Sequence, residues 1–167
     1  MSGRARLAIV GALIAVAWAV PGASTPVAGA ESASCTAEGD FTANPGLSTS
    51  PSSGTVSTGG DTGALDCKGL GKGTMGFDGK YGTKDPDTCS SGGEGTTKAV
   101  YKFSDGKEVT DDDVEYTYGP FQGGAIGGSF KGSRSSGTFE VTPIEGDCVS
   151  KPLSKGHYLF RNLVIQR

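Results

Sequence analysis

His157 is the only histidine of the chain, and histidine is the side chain best suited to acid–base chemistry near neutral pH. A hydrolase that used it would need a nucleophile, and the Gly-x-Ser-x-Gly elbow that presents a catalytic serine does not occur. We therefore interpret His157 as a surface residue at the start of a strand. The four cysteines are assigned to disulfides below, which leaves no thiol for a cysteine protease.

Paired carboxylates are a second candidate, because glycosidase-type acid–base chemistry needs only two positioned acids. Glu115 and Glu140 lie in segments that alternate between polar and apolar residues, on the opposite parity from their apolar neighbours. We expect both side chains to face solvent. An enzyme that depends on carboxylates therefore remains only an alternative.

Calcium prefers oxygen ligands, and two acidic groups could supply them in an extracellular protein. The groups are Asp111-Asp112-Asp113 with Asp105, and Asp85 with Asp87. Neither has the spacing of a helix–loop–helix calcium site. We predict solvated acidic turns, a break in the strand pattern at residues 111–113, and no metal site.

Residues 71–76 read Gly-Lys-Gly-Thr-Met-Gly and match the dinucleotide fingerprint in letters. That motif functions only where a strand meets a helix whose first amides hold a pyrophosphate, and no helical pattern follows here. Gly-Lys pairs occur at Gly71, Gly79 and Gly106, but Ser or Thr follows none of them, so the phosphate-loop signature is absent. The sequence predicts no nucleotide cofactor.

The first thirty of the 167 residues have the three parts of a secretory signal. Arg4 and Arg6 precede an apolar run from Leu7 to Val20, and Ala28-Gly29-Ala30 forms a cleavage site. A run of about 14 residues is short of the roughly 20 that span a bilayer. We predict a signal peptide over residues 1–30 and one secreted domain over 31–167 that does not span a membrane after cleavage.

The charge balance of the predicted mature chain argues against nucleic acid as a partner. Arg4 and Arg6 are the only charged residues before Glu31, so of the 15 Lys and Arg 13 remain, against 18 Asp and Glu. Binding to phosphate backbones needs a concentrated positive surface, which this composition does not favour.

Four cysteines fall in the predicted mature chain, and an even number in an exported protein indicates two disulfides. Their spacing excludes a Cys-x-x-Cys redox pair or zinc knuckle. Three pairings are possible. We favour Cys35 with Cys67, which closes an N-terminal hairpin, and Cys89 with Cys148, which ties the middle of the chain to its end.

The remaining pattern is that of short strands. Gly-Thr pairs recur along the chain and are interpreted as punctuation before strands, because glycine frees the backbone and threonine suits a pleated surface. In the hairpin from Ala99 to Tyr118, a three-residue turn with Gly106 in the left-handed position pairs Tyr101 with Val109 and keeps the apolar side chains on one face.

Two further segments complete the strand count. Residues 125–143 form a second predicted hairpin with Phe139 and Val141 on one face, and residues 157–166 form a last strand. In that strand Leu159, Leu163 and Ile165 share one parity and Tyr158, Phe160 and Val164 the other, so both faces are apolar. About eight strands and no helical period predict an all-β fold, an antiparallel up-and-down barrel or alternatively a β-sandwich.

The mature chain resembles a group of uncharacterised secreted Gly/Thr-rich, four-cysteine β-proteins of actinobacteria. The phrases that carry the likeness are Ser34-Cys35-Thr36, Asn44-Pro45-Gly46-Leu47, Leu65-Asp66-Cys67, and the late strand Gly137-Thr138-Phe139-Glu140-Val141-Thr142-Pro143 with Glu145-Gly146-Asp147-Cys148-Val149 after it. The resemblance implies secretion, an all-β fold and two disulfides. It implies no activity, cofactor or catalytic residue.

These observations together favour a secreted, non-catalytic β-domain that binds a small molecule or a cell-envelope component. A barrel of about eight strands can hold one small ligand among its inward side chains. An interaction module that uses the apolar C-terminal strand, and a carboxylate-dependent enzyme, are the alternatives. The expected lining residues are Met75, Phe77, Tyr101, Phe103, Tyr116, Tyr118, Phe139 and Val141.

Overall fold

The structure, a computed structural model, describes residues 31–60 and 63–167. These residues form nine strands and no helix. The predicted signal peptide lies outside the described residues. The strands are β1 (Ser32–Leu47), β2 (Gly54–Ser57), β3 (Gly63–Cys67), β4 (Gly71–Tyr81), β5 (Gly93–Phe103), β6 (Glu108–Tyr118), β7 (Ile126–Lys131), β8 (Ser135–Glu145) and β9 (Leu153–Gln166).

Eight of the strands form a closed antiparallel barrel, in the order β1-β3-β4-β5-β6-β7-β8-β9, and β9 pairs with β1 to close it. The extra strand, β2, lies between β1 and β4, as β3 does, but it pairs with a different stretch of each. It pairs with residues 42–44 of β1 and residues 78–81 of β4, whereas β3 pairs with residues 35–38 and 71–75 of the same two strands. The all-β barrel is confirmed, and the sandwich is not formed.

The barrel has two different ends. At one, which we call the hairpin end, short turns connect β3 to β4, β5 to β6 and β7 to β8. At the other, the loop end, longer segments connect β4 to β5 (residues 82–92), β6 to β7 (119–125) and β8 to β9 (146–152).

The predicted turn of the β5–β6 hairpin is confirmed. Tyr101 pairs with Val109, Phe103 N–H donates to the Lys107 carbonyl at 2.9 Å, and Gly106 has a φ of 83°. Only a three-residue loop that ends in a left-handed glycine satisfies this register and still points Tyr101 and Val109 into the core.

The predicted break at residues 111–113 is wrong, because β6 continues through all three aspartates. A β-bulge absorbs the irregularity instead, because Asp112 and Asp113 on β6 lie opposite the single residue Lys98 on β5. Asp111 lies just before the bulge, continues the inward alternation from Val109 and is fully buried, whereas Asp112 and Asp113 are exposed and the bulge returns Val114 to the inside. A solvated acidic turn therefore does not describe this segment.

The predicted faces of the last strand are also wrong. Asn162 adopts a left-handed φ of 52°, and the pairing of β9 with both neighbouring strands shifts by one residue there. Since such a shift reverses the alternation, Leu163 and Ile165 join Tyr158 and Phe160 on the buried face. Of the apolar residues, Leu159 and Val164 remain on the outside.

Glycine has a second role that the interpretation as punctuation missed. Many inward aromatic rings lie directly opposite a glycine on the neighbouring strand. The pairs are Phe41 with Gly156, Phe103 with Gly73, Tyr116 with Gly95, Phe130 with Gly137, Phe139 with Gly128 and Tyr158 with Gly39. A small barrel has room for large inward side chains only where small ones alternate with them. The high glycine content therefore reflects the filling of the interior as well as its turns.

Both favoured disulfides are present, Cys35–Cys67 and Cys89–Cys148. The first joins residues that already face each other in the β1–β3 pairing, toward the hairpin end. The second joins two connections of the loop end. Across residues 31–60 and 63–167, no helix is long and apolar enough to cross a membrane.

Candidate functional site

The interior of the barrel contains two adjoining apolar cavities. The larger, of about 90 Å³, lies in the middle of the barrel, and the smaller, of about 80 Å³, lies toward the loop end. Their linings share Phe41, Val56, Tyr116, Phe139 and Val141. We refer to the two cavities together as the lumen.

Seven of the eight residues expected to line an interior site lie around the lumen. Met75, Phe77 and Tyr101 line the larger cavity and Tyr118 the smaller, while Tyr116, Phe139 and Val141 line both.

Phe103 is the exception and corrects the expected lining. It is buried at the hairpin end, where the Arg167 guanidinium lies 5.3 Å from its ring centroid, and it contacts neither cavity. Because Phe103 is the last residue of β5, its side chain closes the end of the barrel instead of lining its interior.

The lining contains many residues beyond the expected eight, and several of them come from strands whose inward faces were not recognised. Phe41 lies on β1, which was not identified as a long strand, and Tyr158 and Phe160 lie on β9, whose faces were misassigned. Phe41 pairs with Gly156 and Tyr158 with Gly39, but these glycines identify the rings as inward only once the strand pairing is known, and Phe160 pairs with no glycine. The missed residues are Phe41, Ala43, Leu47, Val56, Tyr81, Thr97, Ala99, Val114, Ile126, Phe130, Leu153, Tyr158 and Phe160.

Aromatic rings in edge-to-face contact form the wall of the larger cavity. Phe160 lies 5.0 Å from Phe130 and 5.1 Å from Tyr158, and Phe77 lies 5.2 Å from Tyr158, measured between ring centroids. Such contacts favour particular ring orientations, and they add to the stabilisation that comes from burying the rings. The wall is therefore a defined surface with few rotatable groups.

The Tyr158 hydroxyl has a hydrogen-bond partner in the wall of the larger cavity. The side chain extends from β9 across Gly39 of β1, and the hydroxyl donates to the Met75 carbonyl on β4 at 3.4 Å. A Cβ at Gly39 or Gly63 would lie within 2.8 Å of this oxygen, so both positions need glycine. Burial raises the pKa of Tyr158 to about 12, which keeps it neutral.

The Tyr101 hydroxyl differs, because it has no hydrogen-bond partner among the described residues although the side chain is fully buried. Burial is the main cause that raises the pKa of Tyr101, with smaller contributions from Asp111 and Tyr158. Ser135 is close enough to oppose this shift in part, but the two hydroxyls do not reach the geometry of a hydrogen bond. Buried polar groups in folded proteins are nearly always paired, so this one calls for an explanation.

A buried carboxylate, Asp111, lies next to Tyr101 near the hairpin end. Its oxygens accept from the Ser133 amide and hydroxyl at 3.1 and 2.9 Å, from the Arg134 amide at 3.1 Å and from the Ser135 hydroxyl at 2.7 Å. Burial alone would raise the pKa of Asp111, but these four donors, led by Ser135, lower it below the ordinary value. The carboxylate is fully engaged with the β7–β8 turn.

A second buried carboxylate, Asp87, holds the loop end together. It accepts from the Tyr118 hydroxyl at 2.8 Å and from the Gly82 and Glu94 amides at 2.9 and 3.3 Å. Burial, followed by the hydrogen bond to Asp87, raises the pKa of Tyr118. The acidic pair predicted as a solvated turn at residues 85–87 thus contains one exposed and one buried acid.

The residues considered for catalysis lie on the outer face of the barrel. Glu115 and Glu140 are exposed, as expected. The prediction that His157 begins the last strand is wrong, because β9 begins at Leu153 and His157 lies within it, half-buried. Its Nδ1 lies 2.9 Å from Asp40 Oδ1 on β1. This hydrogen bond is the main cause that lowers the pKa of Asp40, and Lys155 adds to it from 3.6 Å. Within the described part of the chain, no three acidic, histidine or cysteine side chains are grouped to hold a metal ion.

Comparison of the chain with protein-family models, with curated proteins and with solved structures finds no significant match.

Proposed function

We propose that this chain is a secreted, non-catalytic binding protein whose barrel interior takes a small, predominantly apolar molecule. The observation that carries the proposal is the lumen, two adjoining cavities with an almost wholly apolar lining inside the barrel. Interiors normally pack to crystal-like density, so unfilled space of this size carries a packing cost that a ligand would remove.

The volume sets the class of ligand. Drug-sized molecules occupy pockets of about 300 to 1,000 Å³, whereas an apolar cavity of about 150 Å³ is known to hold benzene. The two cavities together are comparable with the latter. A single ring or short branched chain fits this space, and the lipid chains or sugars of a cell envelope do not.

The two alternatives receive less support. On the outer face of β9 only Leu159 and Val164 are apolar, which makes a small patch for a partner protein. Glu115 and Glu140 project into solvent and line neither cavity of the lumen.

The proposal of secretion rests on the sequence signal and on compartment chemistry. Disulfides persist in oxidising environments, and all four cysteines of this chain are engaged in two bridges. This is consistent with an extracellular location.

The first test is native mass spectrometry of the protein purified from its own culture medium, compared with the denatured mass. We expect an additional mass of about 80 to 150 Da that is released on denaturation, from the size of molecule that such a cavity holds.

The second test uses toluene as a probe of the lumen. At ten times its dissociation constant, toluene should stabilise the protein by about 1.4 kcal/mol.

Matched variants locate the binding. Ala99→Leu fills the larger cavity, whereas Ala64→Leu makes the same change on the exposed face of β3. Toluene should stabilise the wild type and Ala64→Leu but not Ala99→Leu, and Val114→Ile is the milder filling variant if Ala99→Leu does not fold. A protein with no released mass and no stabilisation by toluene would overturn the proposal.

A further inference from the structure

The two cavities of the lumen are lined by different kinds of side chain, apart from the five residues that both linings share. Five of the nine residues particular to the larger cavity are aromatic, namely Phe77, Tyr101, Phe130, Tyr158 and Phe160. Four of the six residues particular to the smaller cavity are aliphatic, namely Ala43, Leu47, Ile126 and Leu153. The lumen is therefore a two-part space, aromatic in the middle of the barrel and more aliphatic toward the loop end.

The junction between the two cavities is also aromatic, because Phe41, Tyr116 and Phe139 line both of them. Tyr116 and Phe139 meet edge to face with their ring centroids 6.3 Å apart, and Phe41 lies 6.1 Å from Phe77 in a tilted arrangement. These four side chains are half-buried, whereas Tyr101 is fully buried. Since the four rings point into the barrel and line its cavities, the ring surface that remains accessible is available to a molecule in the lumen.

The tyrosines of the lumen offer this molecule their rings and not their hydroxyls. Four of the five donate the hydroxyl proton to another group of the protein, Tyr81 at 2.6 Å, Tyr116 at 3.0 Å, Tyr118 at 2.8 Å and Tyr158 at 3.4 Å. The fifth, Tyr101, is 0% exposed, so a ligand does not reach its hydroxyl. A molecule in the lumen would therefore contact carbon almost everywhere, which favours a hydrocarbon skeleton.

We propose that the lumen binds a benzene ring that carries a short alkyl substituent, with the ring in the larger cavity and the substituent in the smaller. This inference rests on the proposed function. Aromatic side chains favour edge-to-face or offset contact with another aromatic ring, and the Met75 thioether in the same lining adds a favourable contact of sulfur with an aromatic ring. The combined volume of the two cavities allows a substituent of about one to three carbons.

The first experiment tests the position of the substituent by comparing toluene with propylbenzene. NMR titration of the full mature chain measures both dissociation constants. We expect propylbenzene to bind the wild type about 15-fold more tightly than toluene, the worth of two buried methylene groups. Ala43→Leu fills the smaller cavity and should remove this gain while toluene still binds, whereas the same change in the larger cavity, Ala99→Leu, should weaken both ligands. Ala43→Val is the milder variant if Ala43→Leu does not fold.

The second experiment tests the preference for an aromatic ring by comparing toluene with methylcyclohexane. Phe77→Leu removes one ring of the larger cavity, and Phe103→Leu is the matched control, because Phe103 lies at the hairpin end and lines neither cavity. The ratio of the two dissociation constants should shift about two- to tenfold against toluene in Phe77→Leu, the worth of one aromatic pair, and stay unchanged in Phe103→Leu. Because the ratio compares two ligands on one protein, a general loss of stability does not affect it.

The outcomes separate this inference from the proposed function. A wild type that binds propylbenzene no more tightly than toluene, or a gain that persists in Ala43→Leu, would overturn the position of the substituent. A ratio that Phe77→Leu leaves unchanged would overturn the preference for an aromatic ring. In each of these cases toluene still binds and the lumen remains a binding site. If none of the three hydrocarbons binds the wild type, the proposed function itself is overturned.

Discussion

The two ends of the barrel are held by the same kinds of group in different arrangements. Each has one disulfide and one buried aspartate. At the hairpin end Asp111 accepts four hydrogen bonds from three consecutive residues of one turn, 133–135. At the loop end Asp87 accepts three, from the end of β6, the start of β5 and the residue after β4.

The disulfides differ in the same way. Cys35–Cys67 joins two strands that are hydrogen-bonded to each other, and Cys89–Cys148 joins two loops 59 residues apart in sequence that share no strand pairing. The disulfide of the hairpin end therefore reinforces two strands that are already paired, whereas the disulfide of the loop end links two loops that no strand pairing joins. Since the smaller cavity lies toward the loop end, the loop end is the more suitable route by which a ligand could enter.

The largest effect should come from removing a disulfide. Loop-closure entropy predicts a destabilisation of about 4 kcal/mol for Cys89→Ala/Cys148→Ala and slightly less for Cys35→Ala/Cys67→Ala. Urea unfolding measures both. Hydrogen exchange should accelerate in residues 82–92 and 146–152 only in the first variant, because β1 and β3 stay paired in the second. Equal acceleration in both variants would remove the distinction between the ends.

Replacement of the buried aspartates should have the next largest effect. We expect Asp111→Asn to lower the free energy of unfolding by about 3 kcal/mol and Asp87→Asn to lower it by about 2 kcal/mol. Asp111 accepts more hydrogen bonds, and in both variants the asparagine NH2 group would face N–H and O–H groups that need an acceptor. The exposed neighbour Asp113→Asn is the control and should change stability by less than about 0.5 kcal/mol. A larger effect for Asp87→Asn in urea unfolding would reverse the comparison.

The pH dependence of stability gives a sharper test of Asp111. Its pKa is lowered in the folded state, so its contribution is complete above the ordinary aspartate pKa of about 4 and is lost as the pH falls from there through the folded value. The stability difference between wild type and Asp111→Asn should therefore shrink below about pH 4. Unfolding curves from pH 7 to pH 2 measure it, and a difference that stays constant over this range would contradict the assignment.

The smallest effects should come from two tyrosine hydroxyls. Tyr118→Phe removes a donor to Asp87 and should destabilise by about 1.5 kcal/mol, whereas Tyr101→Phe removes an unpaired hydroxyl and should stay within about 0.5 kcal/mol of the wild type without ligand. Thermal unfolding of the two variants side by side measures the difference. A marked destabilisation by Tyr101→Phe would show that its hydroxyl has a partner in solution.

Local patterns in the sequence were sufficient for much of the fold. Alternation identified the β5–β6 hairpin with its register, because the turn residues Asp105 and Gly106 and the flanking apolar residues all require one pairing. Cysteine number and spacing led to both disulfides. Seven of the eight expected interior residues line the lumen because alternation on β4 to β8 follows the pleat.

Bulges explain what the sequence did not reveal. At Asp112–Asp113, just after Asp111, and at Asn162, one extra residue reverses the alternation, and the polar–apolar pattern does not predict a bulge at either position. Asp111 reads as part of an acidic run, and its burial becomes favourable only because residues 133–135, distant in sequence, supply four donors. The reversal at Asn162 places Leu163 and Ile165 in the core, against the predicted alternation.

The all-β class, the paired cysteines, the hairpin register and the alternation of aromatic with polar residues follow from the order of residues along the chain, because they depend on near neighbours. The closure of β9 on β1, the glycines opposite six of the aromatic rings, the unfilled apolar space and the unpaired Tyr101 hydroxyl arise only when the strands meet. These features depend on which strands meet around the barrel, and that arrangement is set by packing among residues far apart in the sequence.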